Sequence, residues 1–105
     1  MNKFTKKGFV YLREENGNTV FSYKERVVRF PTSAIAKDSA VKNHINAVLR
    51  NLPKLEAASA RIQGQVVEKD SVWSVIRNAL DWESVRKPNT WMLDFVKDFA
   101  QLEVK

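Results

Sequence analysis

The dipeptide Asn16-Gly17 constrains this chain more than any other feature, because it separates two runs rich in β-branched and aromatic residues. Asn-Gly in that setting is the strongest short-range signal for a β-hairpin closed by a type I′ turn. We therefore predict an antiparallel hairpin over residues 8–30. A two-residue loop also sets the strand register. That register pairs Leu12 with Phe21, Val10 with Tyr23, Tyr11 with Ser22 and Phe9 with Lys24.

The two faces of the predicted hairpin differ in character, because successive side chains of a strand point to opposite sides. One face is predicted to be buried and carries Val10, Leu12, Phe21 and Tyr23. The other face carries Phe9, Tyr11, Arg13, Val20, Ser22 and Lys24. Aromatic rings that stack on bases, set among cations that contact phosphates, are typical of single-stranded nucleic-acid platforms. In the alternative interpretation, a helix covers this second face and the sheet is buried on both sides.

The second strand is predicted to run to Phe30 and to end at Pro31, because proline cannot donate a hydrogen bond to a sheet. The alternation fails at Glu25-Arg26, where a glutamate falls on the predicted core face. A β-bulge at this point would restore the pattern and turn Val28 and Phe30 inward. Without a bulge, Val27 continues the core face.

The rest of the chain is predicted to be mainly helical. Apolar residues recur at helical spacing over residues 38–52, 54–61, 71–81 and 90–103. Residues 62–68 are predicted as a short strand that could join the hairpin as a third member, and a single helix over 54–68 stays open. Residues 1–7 form a basic lead-in. Together these elements predict a single α+β domain, an antiparallel hairpin packed with three to four helices.

The net charge of the chain is +6, and the excess lies in its first half. Residues 1–30 carry seven Lys/Arg against three Asp/Glu, and residues 31–55 carry four against one. Residues 56–105 are nearly balanced, with seven against eight. A basic excess concentrated in one region favours an anionic partner, most often nucleic acid, although a modest excess also serves solubility alone.

Several kinds of chemistry lack the residues they need. The chain has no cysteine, which excludes disulfides, thiolate metal sites and cysteine catalysis and fits a reducing, cytoplasmic setting. His44 is the only histidine, so neither a Ser-His-Asp triad nor a zinc site is predicted. No apolar run approaches the roughly 18 residues of a membrane span. We therefore predict a non-enzymatic protein without metal, cofactor or membrane partner.

The leading prediction is a small basic protein that binds DNA or RNA through the face of the N-terminal hairpin. The basic loop between Trp82 and Trp91 is a second candidate patch, for phosphate or for a protein interface, and its alternative interpretation is a plain surface turn. The rival prediction is a protein–protein interaction module, such as an inhibitor, adaptor or assembly subunit, which uses the hairpin edge. Homo-oligomer formation is a further alternative. The residues predicted to contact nucleic acid are Lys7, Phe9, Tyr11, Arg13, Lys24, Arg26, Arg86 and Lys87.

Overall fold

The computed structural model describes residues 2–80 and 90–105 of the chain. A three-stranded antiparallel sheet near the N-terminus is followed by helices that pack against it, so the predicted α+β class is confirmed. The elements in chain order are α1 (Asn2–Lys6), β1 (Val10–Glu15), β2 (Asn18–Tyr23), β3 (Arg26–Pro31), α2 (Thr32–Ile35), α3 (Lys42–Arg50), α4 (Leu52–Ala60), β4 (Val66–Val67), α5 (Lys69–Ala79), α6 (Thr90–Ala100) and β5 (Glu103–Val104).

The first hairpin turn forms where the sequence predicts it. Glu15 pairs with Asn18, which leaves two residues in the loop. The backbone angle φ is 52° at Asn16 and 81° at Gly17. A type I′ turn requires positive φ at both central residues, so the predicted turn is confirmed.

A β-bulge at Leu12 shifts the remainder of β1 by one residue. Beyond Arg13, the next residue paired with β2 is Tyr11, which lies opposite Phe21. The four cross-strand pairs predicted for this region are therefore wrong. A one-residue shift turns the following side chains over, and Val10 and Leu12 are exposed where the alternation predicts burial.

The predicted long second strand consists of two strands joined by a second tight turn. Tyr23 pairs with Arg26, and φ is 47° at Lys24 and 68° at Glu25. The predicted bulge is therefore wrong, and the third strand of the sheet is β3 and not residues 62–68. Lys-Glu lacks the Asn and Gly that favour a type I′ turn, so the sequence does not mark this reversal.

Phe30 lies at the centre of the core, on the inner face of β3. Both Phe30 and Val28 are fully buried and Val27 is exposed. This is the orientation that the predicted bulge would have given, but the tight turn at Lys24-Glu25 produces it instead. The segment before the hairpin belongs to the core as well, because α1 buries the ring of Phe4. From Phe30 the ring-centroid distances are 5.1 Å to Phe95, 5.3 Å to Phe4, 5.8 Å to Trp91, 5.9 Å to Phe21 and 6.0 Å to Phe9.

The helices differ from their predicted ranges chiefly at their ends. The third helix begins at Lys42 and not at residue 38, and the last helix ends at Ala100 and not at residue 103. After the last helix the chain forms β5, which pairs in parallel with β4. The strand predicted at 62–68 is thus reduced to two residues, and it joins the C-terminal segment instead of the hairpin.

Replacing Gly17 with valine is expected to destabilise the protein by about 1–2 kcal/mol, because a β-branched residue is strained at positive φ. Among the described residues, no atom lies within 4 Å of the added Cβ, so the cost is conformational and not steric crowding. Gly17→Asn is the matched control and is expected to lose much less, because asparagine tolerates this backbone region. Urea denaturation measures both variants. A valine variant as stable as the wild type would contradict the turn.

Replacing Glu25 with glycine is expected to stabilise the protein by about 0.5–1 kcal/mol. The left-handed conformation costs a non-glycine residue about 1–2 kcal/mol, against about 0.5–1 kcal/mol for the extra chain entropy of glycine. Glu14→Gly, in the middle of an exposed strand, is the control and is expected to destabilise by about 0.5–1 kcal/mol. Thermal melts distinguish the two. A loss of stability in the Glu25 variant would argue against a reversal at this point.

Candidate nucleic-acid interface

The structure removes Phe9 from the predicted ligand-binding face. Its side chain is 2% exposed, and its ring centroid lies 4.4 Å from that of Tyr23 and 5.8 Å from that of Phe21. Phe9 precedes β1, and its backbone N–H donates to the carbonyl of Phe4 at 3.0 Å. The alternation that begins at Val10 therefore does not include it. The prediction that this ring is exposed on the binding face is wrong.

Two arginines of the sheet flank a buried valine and are paired with carboxylates; Arg13 belongs to the predicted second face and Arg29 does not. Arg13 and Arg29 are the cross-strand neighbours of Val20, which is fully buried between them. Arg13 Nε donates to Glu15 Oε2 at 2.8 Å. Arg29 Nη1 lies 3.2 Å from Asp98 Oδ1. These pairs reduce the positive field that the sheet presents to a polyanion.

The pKa values of these two carboxyls respond to different causes. The hydrogen bond and the charge of Arg13 hold the pKa of Glu15 below its ordinary value. Burial raises the pKa of Asp98, and the charge of Arg29 opposes that rise without cancelling it. The Arg13–Glu15 ion pair therefore persists through the neutral range. As the pH falls, the Arg29–Asp98 ion pair is lost at a higher pH than the pair of an ordinary exposed aspartate would be.

Lys24 and Arg26, from the predicted contact set, lie beside α4 and α6. Lys24 Nζ is 2.8 Å from Glu56 Oε1, which also accepts a hydrogen bond from the Tyr23 hydroxyl at 2.7 Å. Burial acts to raise the pKa of Glu56, but these two hydrogen bonds outweigh it and hold the pKa below its ordinary value. The Arg26 guanidinium carbon lies 5.0 Å from the ring centroid of Phe99. Both cations thus already contact protein groups.

Of the remaining residues predicted to contact nucleic acid, two lie in the described part of the chain and two do not. Lys7 is exposed and lies in the turn that follows α1. Tyr11 is 48% exposed, and its ring meets that of Phe21 edge-on at 6.4 Å. Arg86 and Lys87 lie outside the described residues. The structure therefore brings no more than part of the predicted set together.

A basic surface that the hairpin prediction misses is formed by α1 and α3. Lys3 Nζ lies 3.4 Å from Asn46 Oδ1, so α1 and α3 approach each other at this point of the surface. Neither helix contains Asp or Glu. The lysines and asparagines that are exposed or half-exposed here are named the α1–α3 surface, and they are Lys3, Lys6, Lys7, Lys42, Asn43 and Asn46.

The sequence does carry a signal for the α1–α3 surface. Residues 39–55 contain no acidic residue, and neither do residues 1–13. Strand alternation cannot reveal this feature, because the two segments are far apart in sequence and meet through tertiary packing. His44 also lies on α3, but burial lowers its pKa, so the imidazole is neutral at pH 7 and adds no charge.

In residues 2–80 and 90–105, no three His, Cys, Asp or Glu side chains are grouped so that they could hold a metal ion. None of the helices in those ranges has the length and apolar character needed to traverse a bilayer. Comparison with protein-family models, with curated proteins and with solved structures finds no significant match.

Truncation of two neighbouring rings tests the revised assignment of the hairpin faces. Phe9→Ala is expected to cost about 3–5 kcal/mol, because the ring is enclosed by other aromatic side chains. Tyr11→Ala is expected to cost about 1 kcal/mol or less, because half of that side chain is in solvent. Equilibrium denaturation with a shared protocol gives both values. Equal costs for the two variants would contradict the assignment.

Proposed function

We propose that this chain is a small non-enzymatic protein that binds nucleic acid, DNA or RNA, chiefly through the phosphate backbone. The observation that carries the proposal is the α1–α3 surface, where two adjacent helices present lysines and asparagines and contain no carboxylate. Lysine contacts phosphate as a point charge, and an asparagine amide can donate a hydrogen bond to it. Contacts of this kind supply affinity without a sequence preference.

The pairing of the sheet cations favours the α1–α3 surface over the hairpin as the electrostatic centre. Arg13, Arg29 and Lys24 each have a carboxylate oxygen within 3.2 Å. A phosphate that approached them would compete with a partner already in place. On the α1–α3 surface the lysines of both helices instead add to one another, because no acidic residue lies within either helix. A polyanion is therefore attracted most strongly to that surface.

Lys7 connects the α1–α3 surface to the hairpin. The strand that follows carries Tyr11, whose ring is half-exposed, whereas the ring of Phe9 is enclosed. A single-stranded nucleic acid that is bound at Lys7 and extends past it would bring a base within reach of the Tyr11 ring. Stacking of a base on such a ring contributes about 1–3 kcal/mol.

A second candidate function is protein–protein contact through the free edge of β1. In the part of the chain that the structure describes, β1 pairs with β2 alone. All six of its residues are exposed, and Val10 is 60% and Leu12 is 42% exposed. An exposed strand edge with apolar side chains suits addition of a strand from another chain. The bulge at Leu12 opposes this use, since bulges disrupt regular pairing at sheet edges.

The salt dependence of binding tests the proposed function. In gel-shift titrations, Lys6→Ala/Lys7→Ala/Lys42→Ala is expected to weaken binding to all sequences alike. The steepness of log affinity against log salt should fall by about 2–3. The reason is that binding releases about one fewer counterion from the nucleic acid for each lysine removed. Tyr11→Ala is expected to weaken single-stranded ligands more than duplexes.

The matched control removes the same number of charges elsewhere. Lys69→Ala/Lys97→Ala/Lys105→Ala lowers the net charge equally, and its salt slope is expected to change by less than about 1. Equal weakening in both triple variants would mean that net charge and not the α1–α3 surface governs binding. If the wild type retards neither DNA nor RNA at low salt, the proposal fails. Self-association or protein binding that Leu12→Lys abolishes would then favour the β1 edge.

A further inference from the structure

A groove with a volume of about 500 Å³ lies between α4 and α5. Clefts of roughly 300–1,000 Å³ are the size that proteins use to bind ligands. Each helix supplies one wall through residues spaced three, one and three apart, which is the spacing of a single helix face. The α4 wall consists of Lys54, Ala57, Ala58 and Arg61, and the α5 wall consists of Ser71, Ser74, Val75 and Asn78. The groove is therefore about two helical turns long.

The floor of the groove is apolar and open to solvent between the two walls. Val75 belongs to the hydrophobic core, and Ala58 and Ile62 are half-buried side chains that pack against it. Ala57 and Ser74 are exposed, and their side chains are too short to close over the floor. Apolar surface framed by polar residues is typical of a protein interaction site.

The rim of the groove is positively charged on the α4 side. Lys54 and Arg61 stand seven residues apart, which is about 10 Å along a helix axis. None of the described residues that line the groove is Asp or Glu. Within residues 2–80 and 90–105, neither cation has a carboxylate at ion-pairing distance, because Glu56 of α4 pairs with Lys24 instead.

The neutral α5 wall and the apolar floor indicate what kind of molecule fits. A helix bonds its own backbone N–H and C=O groups, so it can lie on an apolar floor without leaving them unsatisfied. An extended peptide needs a strand edge for those groups, and both walls are helices. A nucleic-acid backbone would contact the two cations but would leave the apolar floor uncovered. The groove therefore suits a helix with a negative edge.

We propose that the α4–α5 groove binds an acidic amphipathic helix of a partner protein. Apolar side chains of that helix pack on the floor, and two carboxylates seven residues apart on its edge pair with Lys54 and Arg61. Matched spacing of this kind selects a partner in the way that charges beside a coiled-coil seam do. The groove shares no residue with the α1–α3 surface, and this binding does not rest on the proposed function.

A designed peptide tests the proposal on the full chain. The probe is an alanine-rich helix of about 18 residues, with leucines along one face and two glutamates seven residues apart at the edge of that face. In amide NMR titrations we expect saturable shifts in α4 and α5 at probe concentrations below about 1 mM. A control peptide with lysine in place of both glutamates is expected to bind at least about tenfold more weakly. Absence of saturable shifts, or equal binding of the two peptides, would overturn the proposal.

Removal of the two cations tests the charge complementarity. Lys54→Gln/Arg61→Gln is expected to weaken binding of the glutamate probe about five- to twentyfold, because both ion pairs are lost. Lys97→Gln/Lys105→Gln lowers the net charge equally outside the groove and should change the affinity by less than about twofold. Equal weakening in both double variants would overturn the pairing with Lys54 and Arg61.

A substitution that fills the groove tests the location of the site. Ala57→Glu is expected to weaken probe binding at least about tenfold, because the longer side chain occupies the groove and offers Arg61 a carboxylate four residues away. Ala60→Glu places the same side chain at an exposed position of α4 outside the groove and is the matched control. Both positions are exposed in a helix, where glutamate is tolerated, so both variants should fold. Equal affinity of the two variants for the probe would overturn the site.

Two other occupants would give different results, and either result would overturn the proposal. A wild type that dimerises in sedimentation equilibrium, and an Ala57→Glu variant that does not, would assign the groove to a second copy of the chain. Loss of oligonucleotide binding in Lys54→Gln/Arg61→Gln, with probe binding intact, would assign these cations to nucleic acid. Probe binding by a chain that retards no nucleic acid would uphold the groove while the proposed function fails.

Discussion

The packing of Phe30 is the constraint on which the rest of the structure depends. Its ring lies within 6.0 Å, centroid to centroid, of rings from α1, from β2 and from α6. Aromatic pairs at such distances favour definite relative orientations, so these contacts fix where both helices sit on the sheet. Because Phe4 holds α1 in this cluster, the same packing places Lys3 beside Asn46. The basic surface is thus a consequence of the core.

The sheet and the helices use their cations differently. Arg13 and Arg29 on the sheet lie beside carboxylates, and Arg29 ties β3 to Asp98 of α6. Exposed pairs of this kind add little stability, but they hold long side chains in place over apolar surface such as Val20. The lysines of α1 and α3 have no acidic residue in their own helices. This division separates cations that shape the fold from those that can attract a ligand.

The local parts of the fold could be predicted from the sequence, and the parts set by tertiary packing could not. Asn16-Gly17 specifies its own turn, and the apolar stripe of the last helix specifies its buried face, because both signals lie within a few residues. The reversal at Lys24 has no such signal, since packing of Phe30 against the helices stabilises a turn that its residues disfavour. The absence of acidic residues from 1–13 and 39–55 is visible in the sequence, but the sequence does not show that these two segments approach each other to form the α1–α3 surface.

The parallel pairing of β4 with β5 has a consequence for the order of folding. Both hairpins of the sheet join strands that are neighbours in the chain, whereas the β4–β5 pair joins segments separated by α5 and α6. Pairing β4 with β5 closes a long loop, which costs conformational entropy before the pair contributes any stability. We therefore expect this pair to form last. An interaction that forms after the transition state slows unfolding without speeding folding. This two-residue ladder would thus act on the lifetime of the native state.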